Sequence, residues 1–384
     1  MGASVETLDL ERFGVSPSTG FLPAEAPPRR VGSDVPDALE ELDELARSLP
    51  TLLDRGKLRS SVESLAPPAP HHFDALSDTT LTRTYTISGF LANAYVNKIG
   101  VESTKTIPRG VAVPLYEAAD RLGRTPVLSY DAYVLHNWRR LDGAERLRPH
   151  DLDSITTFTD LPDERWFIVI HAAIEAAAGP ALAAIGEAQR GILDRETDRV
   201  HRALRSIEES LHEIVPILDR MGEHNDPAMY GEGFRPYLGA LTGVEFEGVD
   251  DLEGTQSFRG ASGAQSSLFP ALDAAFGIDH GDTPLVEHLH TLRQDMPPAH
   301  RAFIEAARTG PSIKAFAERT GDAAVREAYN ECIDQMVRFR ERHYDVVEQY
   351  LASKLGETTG TGGTPYGDFL AMFTENTRSI RLPD

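Results

Sequence analysis

A single cysteine, Cys332, in a chain of 384 residues excludes an intramolecular disulfide, and without clustered thiols no cysteine-built zinc site is possible. The economical setting for such a chain is a reducing cytoplasm. Basic residues are scarce as well: 38 lysines and arginines face 60 acidic residues, a net charge of -22 that disfavours nucleic acid and anionic membrane surfaces. No run of about eighteen consecutive apolar residues stands out to span a bilayer. The N-terminus has neither a basic start nor the apolar core of a signal peptide, so the expectation is a soluble protein that is not exported. Alternating apolar and polar runs of strand type are almost absent, and there is no internal repeat. These absences leave an all-α chain.

What is present is helical periodicity in a chain long enough for two lobes. Residues 1–35 mix Gly, Pro, Ser and charge and read as an irregular arm. Pro36 opens a helix whose Leu39, Leu42, Leu45 and Leu49 make one apolar stripe. With helices expected over 78–99 and 114–122, residues 36–124 read as a small helical domain. Residues 125–384 form the larger part, with longer helices expected over 126–141, 163–188, 194–221, 229–241, 264–276, 285–296, 323–353 and 368–378.

Thirteen histidines invite a search for a metal site. His288 and His290 lie two apart on a helical stretch, which splays them about 200° and keeps them from sharing one zinc. His71-His72 follows a proline run and reads as loop, and no His-Glu-x-x-His pattern occurs. His343 differs, because Met336, Phe339, Val347 and Tyr350 share its helical face and would direct a neutral imidazole into an apolar interior. A proximal haem ligand needs that environment, although a lone histidine on such a face is more often a packed core residue. His171 is a second case, with Phe167, Ile174 and Ala178 on its face. After His343 comes Thr359-Gly360-Thr361-Gly362-Gly363-Thr364, rich in hydroxyls and bare backbone. It lacks the strand, spacing and lysine of a phosphate loop, and could serve either as a plain connector or as a loop closing over a ligand.

Beyond single residues, the chain resembles the indoleamine 2,3-dioxygenase family segment after segment from Leu49 onward. The match runs through Pro108-Arg109-Gly110-Val111-Ala112-Val113-Pro114, Tyr130 to Trp138, Phe258-Arg259-Gly260-Ala261-Ser262-Gly263-Ala264-Gln265-Ser266-Ser267, Met296-Pro297-Pro298-Ala299-His300-Arg301, Gly321 to Tyr329 and the Gly-Thr loop. The resemblance implies a two-lobed, all-helical haem protein that binds haem b and its iron through one axial histidine. It implies insertion of both atoms of O2 across the indole C2–C3 bond of L-tryptophan.

Carried onto this sequence, the family's pattern makes His343 the iron ligand and places His171 on the distal side as the catalytic residue. Arg235 matches the arginine that grips the substrate carboxylate, a task suited to a planar guanidinium. Thr361 would complete amino-acid recognition, while Tyr130, Phe167, Tyr133 and Tyr230 would wall the ring. Arg340, with Asp273 as its partner, would reach a haem propionate, and Ser262 and Gly263 would lie against the porphyrin. Better-studied animal members carry two phenylalanines where this chain has Tyr230 and Gly231, a serine at His171 and a cysteine at Tyr133. A distal histidine resembles tryptophan 2,3-dioxygenases, in which it meets the indole N–H.

Other readings of the same residues are a haem monooxygenase or an oxygenase of secondary metabolism acting on a modified tryptophan, a non-catalytic haem sensor, and a helical interaction module without haem. A haem-thiolate reading through Cys332 finds no other thiolate feature around it. The expected partners are tryptophan or a related indole and O2, with no nucleic acid and no membrane, in a monomer or small homo-oligomer.

Overall fold

The computed structural model describes residues 8–144, 146–352 and 366–383. Helices dominate, in keeping with the all-α expectation. The first group is α1 (Asp37–Arg47), α2 (Leu49–Asp54), α3 (Leu58–Glu63), α4 (Asp78–Val96) and α5 (Arg109–Arg121), with α4 packed between α1 and α5. Next come α6 (Pro162–Ala177), α7 (Gly179–Asp194) and α8 (Thr197–Asp219), followed by α9 (Leu268–Phe276), α10 (Pro284–Leu292), α11 (Pro298–Thr309) and α12 (Ile313–Arg319). The long α13 (Ala323–Val347) and α14 (Tyr366–Ser379) close the chain.

Two of the long helices, α4 and α13, start at a side chain that satisfies their first N–H groups. Ser77 Oγ accepts from the Thr80 N–H at 3.2 Å to cap α4, and Asp322 accepts from Ala324 and Val325 at 2.9 and 3.3 Å to cap α13. Packing supplies the rest. α8 lies between α7 and α13, and α13 is held on its other side by α14. Leu204, Ile207 and Ile214 of α8 and Cys332, Ile333 and Met336 of α13 are fully enclosed.

Two expected helices are short turns instead. Over 126–141 the chain makes only a turn at Asp131–Leu135 and then strand β2 (Trp138–Arg140), antiparallel to β3 (Leu152–Ser154). Asn137 is the cause: its side chain donates to the Tyr133 and Thr156 carbonyls at 3.1 and 2.8 Å and accepts the Thr156 N–H at 2.8 Å, pinning a hairpin in place of a helix. Over 229–241 a wide turn at Met229–Phe234 passes into a tight one at Arg235–Leu238, with Pro236 at its start. The chain then enters β4 (Leu241–Phe246), which pairs with β5 (Gln256–Phe258) and, in parallel, with β1 (Thr106–Ile107). A third boundary shifts the other way: α5 begins at Arg109 and carries Pro114 inside it, because Val111, Ala112, Val113 and Leu115 are all buried and their packing outweighs one missing hydrogen bond.

The single helix expected over 163–188 is divided into α6 and α7 at Ala178. Together, Pro162–Asp194 reach the length and mean hydropathy of a membrane span, although His171, Glu175 and Glu187 interrupt it and leave no uninterrupted apolar run of eighteen. Of the most apolar window, 78% is buried inside the protein, the state of a core helix. The break is where the N-terminal arm crosses. A Cβ on Gly179 would come within 2.7 Å of the Pro17 carbonyl oxygen, and one on Gly20 (φ +65°) within 2.2 Å of the Glu175 carbonyl oxygen. The arm is irregular but packed, with Phe13 and Phe21 set edge-on against Phe303 of α11 at 5.8 and 5.6 Å.

Candidate functional site

α6 and α13 each bring one histidine to the interior. His171 and His343 are half-buried by surface area. Burial nevertheless dominates both, lowering the His171 pKa and pushing that of His343 down to about 4. The two imidazoles also sense each other, since charge on His171 and on Arg340 adds to the lowering at His343. Both rings are therefore neutral near pH 7.

The tautomer of His171 is set by its own helix. Its Nδ1 lies 2.8 Å from the Phe167 carbonyl oxygen, which can only accept, so the proton sits on Nδ1 and Nε2 keeps its lone pair. Around that ring the structure assembles an aromatic wall. Phe167 lies 4.3 Å from His171 and Tyr130 stands edge-on at 6.1 Å. Phe167 in turn meets Tyr133 at 6.2 Å and Tyr230 at 5.4 Å. Phe234, which sequence reasoning passed over, completes the wall at 5.8 Å from Phe167 and 5.4 Å from Tyr230. It supplies aromatic surface that Gly231 lacks. Arg235 follows Phe234 directly and is half-buried, with its Nε enclosed. Thr361 and the Gly-Thr run lie outside the described residues.

Two buried carboxyls stand behind the wall. Glu175, one turn after His171, accepts from the Tyr130 hydroxyl at 3.0 Å and from Ser266 at 2.6 Å. Glu164 accepts from the Phe158 and Thr159 N–H groups at 2.8 Å each, from the Thr159 hydroxyl at 2.7 Å and from Tyr133 at 3.5 Å. Burial raises each to about 7. The signal for Glu175 was its position on the same helical face as His171.

On the His343 side, Phe339 lies parallel to the imidazole at 5.9 Å and stacks on Phe269 at 4.5 Å. Arg340 donates through Nη2 to Asp273 Oδ1 at 2.6 Å, and its guanidinium lies over Phe269 and Phe373 at 5.1 and 5.3 Å. Burial alone would raise Asp273, but Arg340 and His280 outweigh it and hold the carboxyl below its ordinary range. Ser262 caps a short turn in which Gln265 accepts from the Ser262 and Tyr130 N–H groups at 3.1 and 3.0 Å. One side chain thus joins this turn to the aromatic wall.

These residues fit a haem. The donor set is a single neutral imidazole. Arg340 Nε is buried without a partner among the described residues, an unspent cationic donor suited to a propionate. A Cβ on Gly263 would meet open space. A surface groove of 560 Å³ between α7 and α8, lined by Pro180, Glu187, Glu196 and Arg199, carries none of this chemistry.

A predominantly helical fold with two neutral interior imidazoles, one of them a fixed acceptor beside an aromatic wall, defines a class of helical protein suited to a haem. Within that class the chain belongs to the indoleamine 2,3-dioxygenase family, whose model matches residues 9–357. It is 31% identical to indoleamine 2,3-dioxygenase 1 of Rattus norvegicus, over 92% of this chain and 93% of that protein. It is 30% identical to the 6-hydroxytryptophan 2,3-dioxygenase of Fusarium equiseti, over 95% and 96% of the two chains. The indoleamine 2,3-dioxygenase of Saccharomyces cerevisiae is 29% identical over 89% of this chain and 80% of the yeast protein.

Proposed function

We propose that this protein is a haem-dependent dioxygenase that cleaves the indole C2–C3 bond of L-tryptophan, or of a close indole derivative, with O2 to give N-formylkynurenine. The observation that carries it is the pairing of a neutral His343 with a His171 whose Nε2 is left as an acceptor inside an aromatic wall. Haem b held at His343 supplies the O2 chemistry, as cofactors do in such enzymes.

The protein's own part is placement. With the cofactor bound, His343 would offer its lone pair to the iron, Arg340 would meet a propionate, and the Ser262-Gly263 turn would let the macrocycle approach the backbone. His171 Nε2 accepts the indole N–H, which orients C2 and C3 while Tyr130, Tyr133, Phe167, Tyr230 and Phe234 exclude water. Arg235 takes the substrate carboxylate, and Thr361 completes amino-acid recognition through its hydroxyl and backbone. Fixing both ends of the substrate converts binding into rate through positioning. The relative named for 6-hydroxytryptophan supports including close indole derivatives. A sensor would leave the acceptor histidine and the carboxylate clamp without a task. The lone, buried Cys332 supports a reducing, cytoplasmic setting.

Purified protein loaded with haem should show a Soret band and convert L-tryptophan aerobically under reducing conditions. A Soret band without turnover favours the sensor, and no Soret band removes the haem reading.

A further inference from the structure

We propose that His280 is a positioning residue that locks Asp273, and through it Arg340, in the orientation that receives a haem propionate; this rests on the haem reading above. The placement is specific. His280 Nε2 lies 3.0 Å from Asp273 Oδ2 while Arg340 holds Oδ1 of the same carboxylate at 2.6 Å. A carboxylate can only accept here, so Nε2 carries the proton and Nδ1 is an acceptor, which meets the Asn376 amide donor at 3.3 Å. The imidazole also lies flat on Phe373 at 3.5 Å and 16°, and Phe373 is one of the two rings under the Arg340 guanidinium. The side chains of His280, Asp273 and Arg340 are only 7, 7 and 8% exposed.

Each contact removes one freedom. With both Asp273 oxygens engaged the carboxylate cannot rotate, and an Arg340 held at one nitrogen, with rings on its faces, turns its Nε, which has no partner among the described residues, in one direction. His280 and Asn376 also join the loop after α9 to α14, so α9, α13 and α14 meet at one ionic cluster. Second partners of this kind orient a ligating group without touching the cofactor.

Two substitutions separate hydrogen bonding from packing. His280→Phe keeps a ring on Phe373 and loses both hydrogen bonds; His280→Gln keeps a donor and an acceptor and loses the ring. The readout is haem dissociation from the ferric protein into excess apomyoglobin, alongside the melting temperature of the apoprotein. His280→Phe should release haem about tenfold faster, the equivalent of one hydrogen bond to a charged group acting at one remove, and His280→Gln should stay near wild type. In an Asp273→Asn background the two variants should release haem at the same rate. Fast release from His280→Gln with normal release from His280→Phe would overturn the proposal in favour of simple packing, and normal release from both would remove His280 from the clamp while leaving the haem reading intact. A wild type that takes up no haem overturns both.

Discussion

The Nδ1–H of His171 is held by the carbonyl of Phe167, one helical turn back at 2.8 Å, so only Nε2 can act on a substrate. An acceptor there selects for a donor on the ligand. 1-Methyltryptophan lacks that donor and adds bulk, so it should be a poor substrate for the wild type. His171→Ser should tolerate it better and lose activity on tryptophan, since removing one partner of a buried hydrogen bond costs about 1–3 kcal/mol. The comparison is kcat/KM for both substrates in both proteins. An unchanged substrate ratio would free His171 from reading the indole nitrogen.

His343→Ala should abolish tight haem binding, because this imidazole is the sole protein bond to iron in the proposed site. A normal Soret band in that variant would place the ligand elsewhere.

Arg235→Ala should raise KM for tryptophan by about one to three orders of magnitude, the loss expected when a charge-assisted, two-point contact is removed. An unaltered KM would take Arg235 out of the substrate site.

Glu175 gives a pH prediction whose sign follows from burial. Its folded pKa is raised from an ordinary 4.5 to about 7. Between those limits the folded state keeps a proton that the unfolded chain releases, so this group's contribution to stability is full below the unfolded pKa and is lost as pH rises through the folded one. Relative to wild type, Glu175→Gln should therefore gain stability from pH 4.5 to 7, by roughly 1.4 kcal/mol per pH unit, and stay level above. Urea unfolding of the apoprotein at several pH values measures it. Parallel stability curves for the two proteins would show Glu175 to be ionised throughout.

The helices most legible in the sequence were those with one apolar stripe. The Leu39-Leu42-Leu45 stripe lies in α1, and the apolar face of α13 follows the Asp322 cap. Periodicity failed where a side chain bonds the backbone better than a helix would. Asn137 closes a hairpin, and Asp226 accepts the Ala228 and Met229 N–H groups at 2.8 and 3.3 Å ahead of the wide turn. In the site, His171 and His343 were visible as polar groups on apolar faces, but only family resemblance gave them roles. Phe234, Gln265 and His280 sit on turns and loops, where no period points inward, and each has a partner distant in the chain: Phe167, Tyr130 and Asn376.

The most direct test of the central claim is the fate of oxygen. Haem-loaded protein should be turned over with L-tryptophan in isotopically labelled O2 and unlabelled water, and the product weighed by mass spectrometry. Two labelled oxygen atoms in each N-formylkynurenine are predicted. A product carrying one labelled atom, with the second drawn from water, would contradict a dioxygenase and assign the site to a monooxygenase.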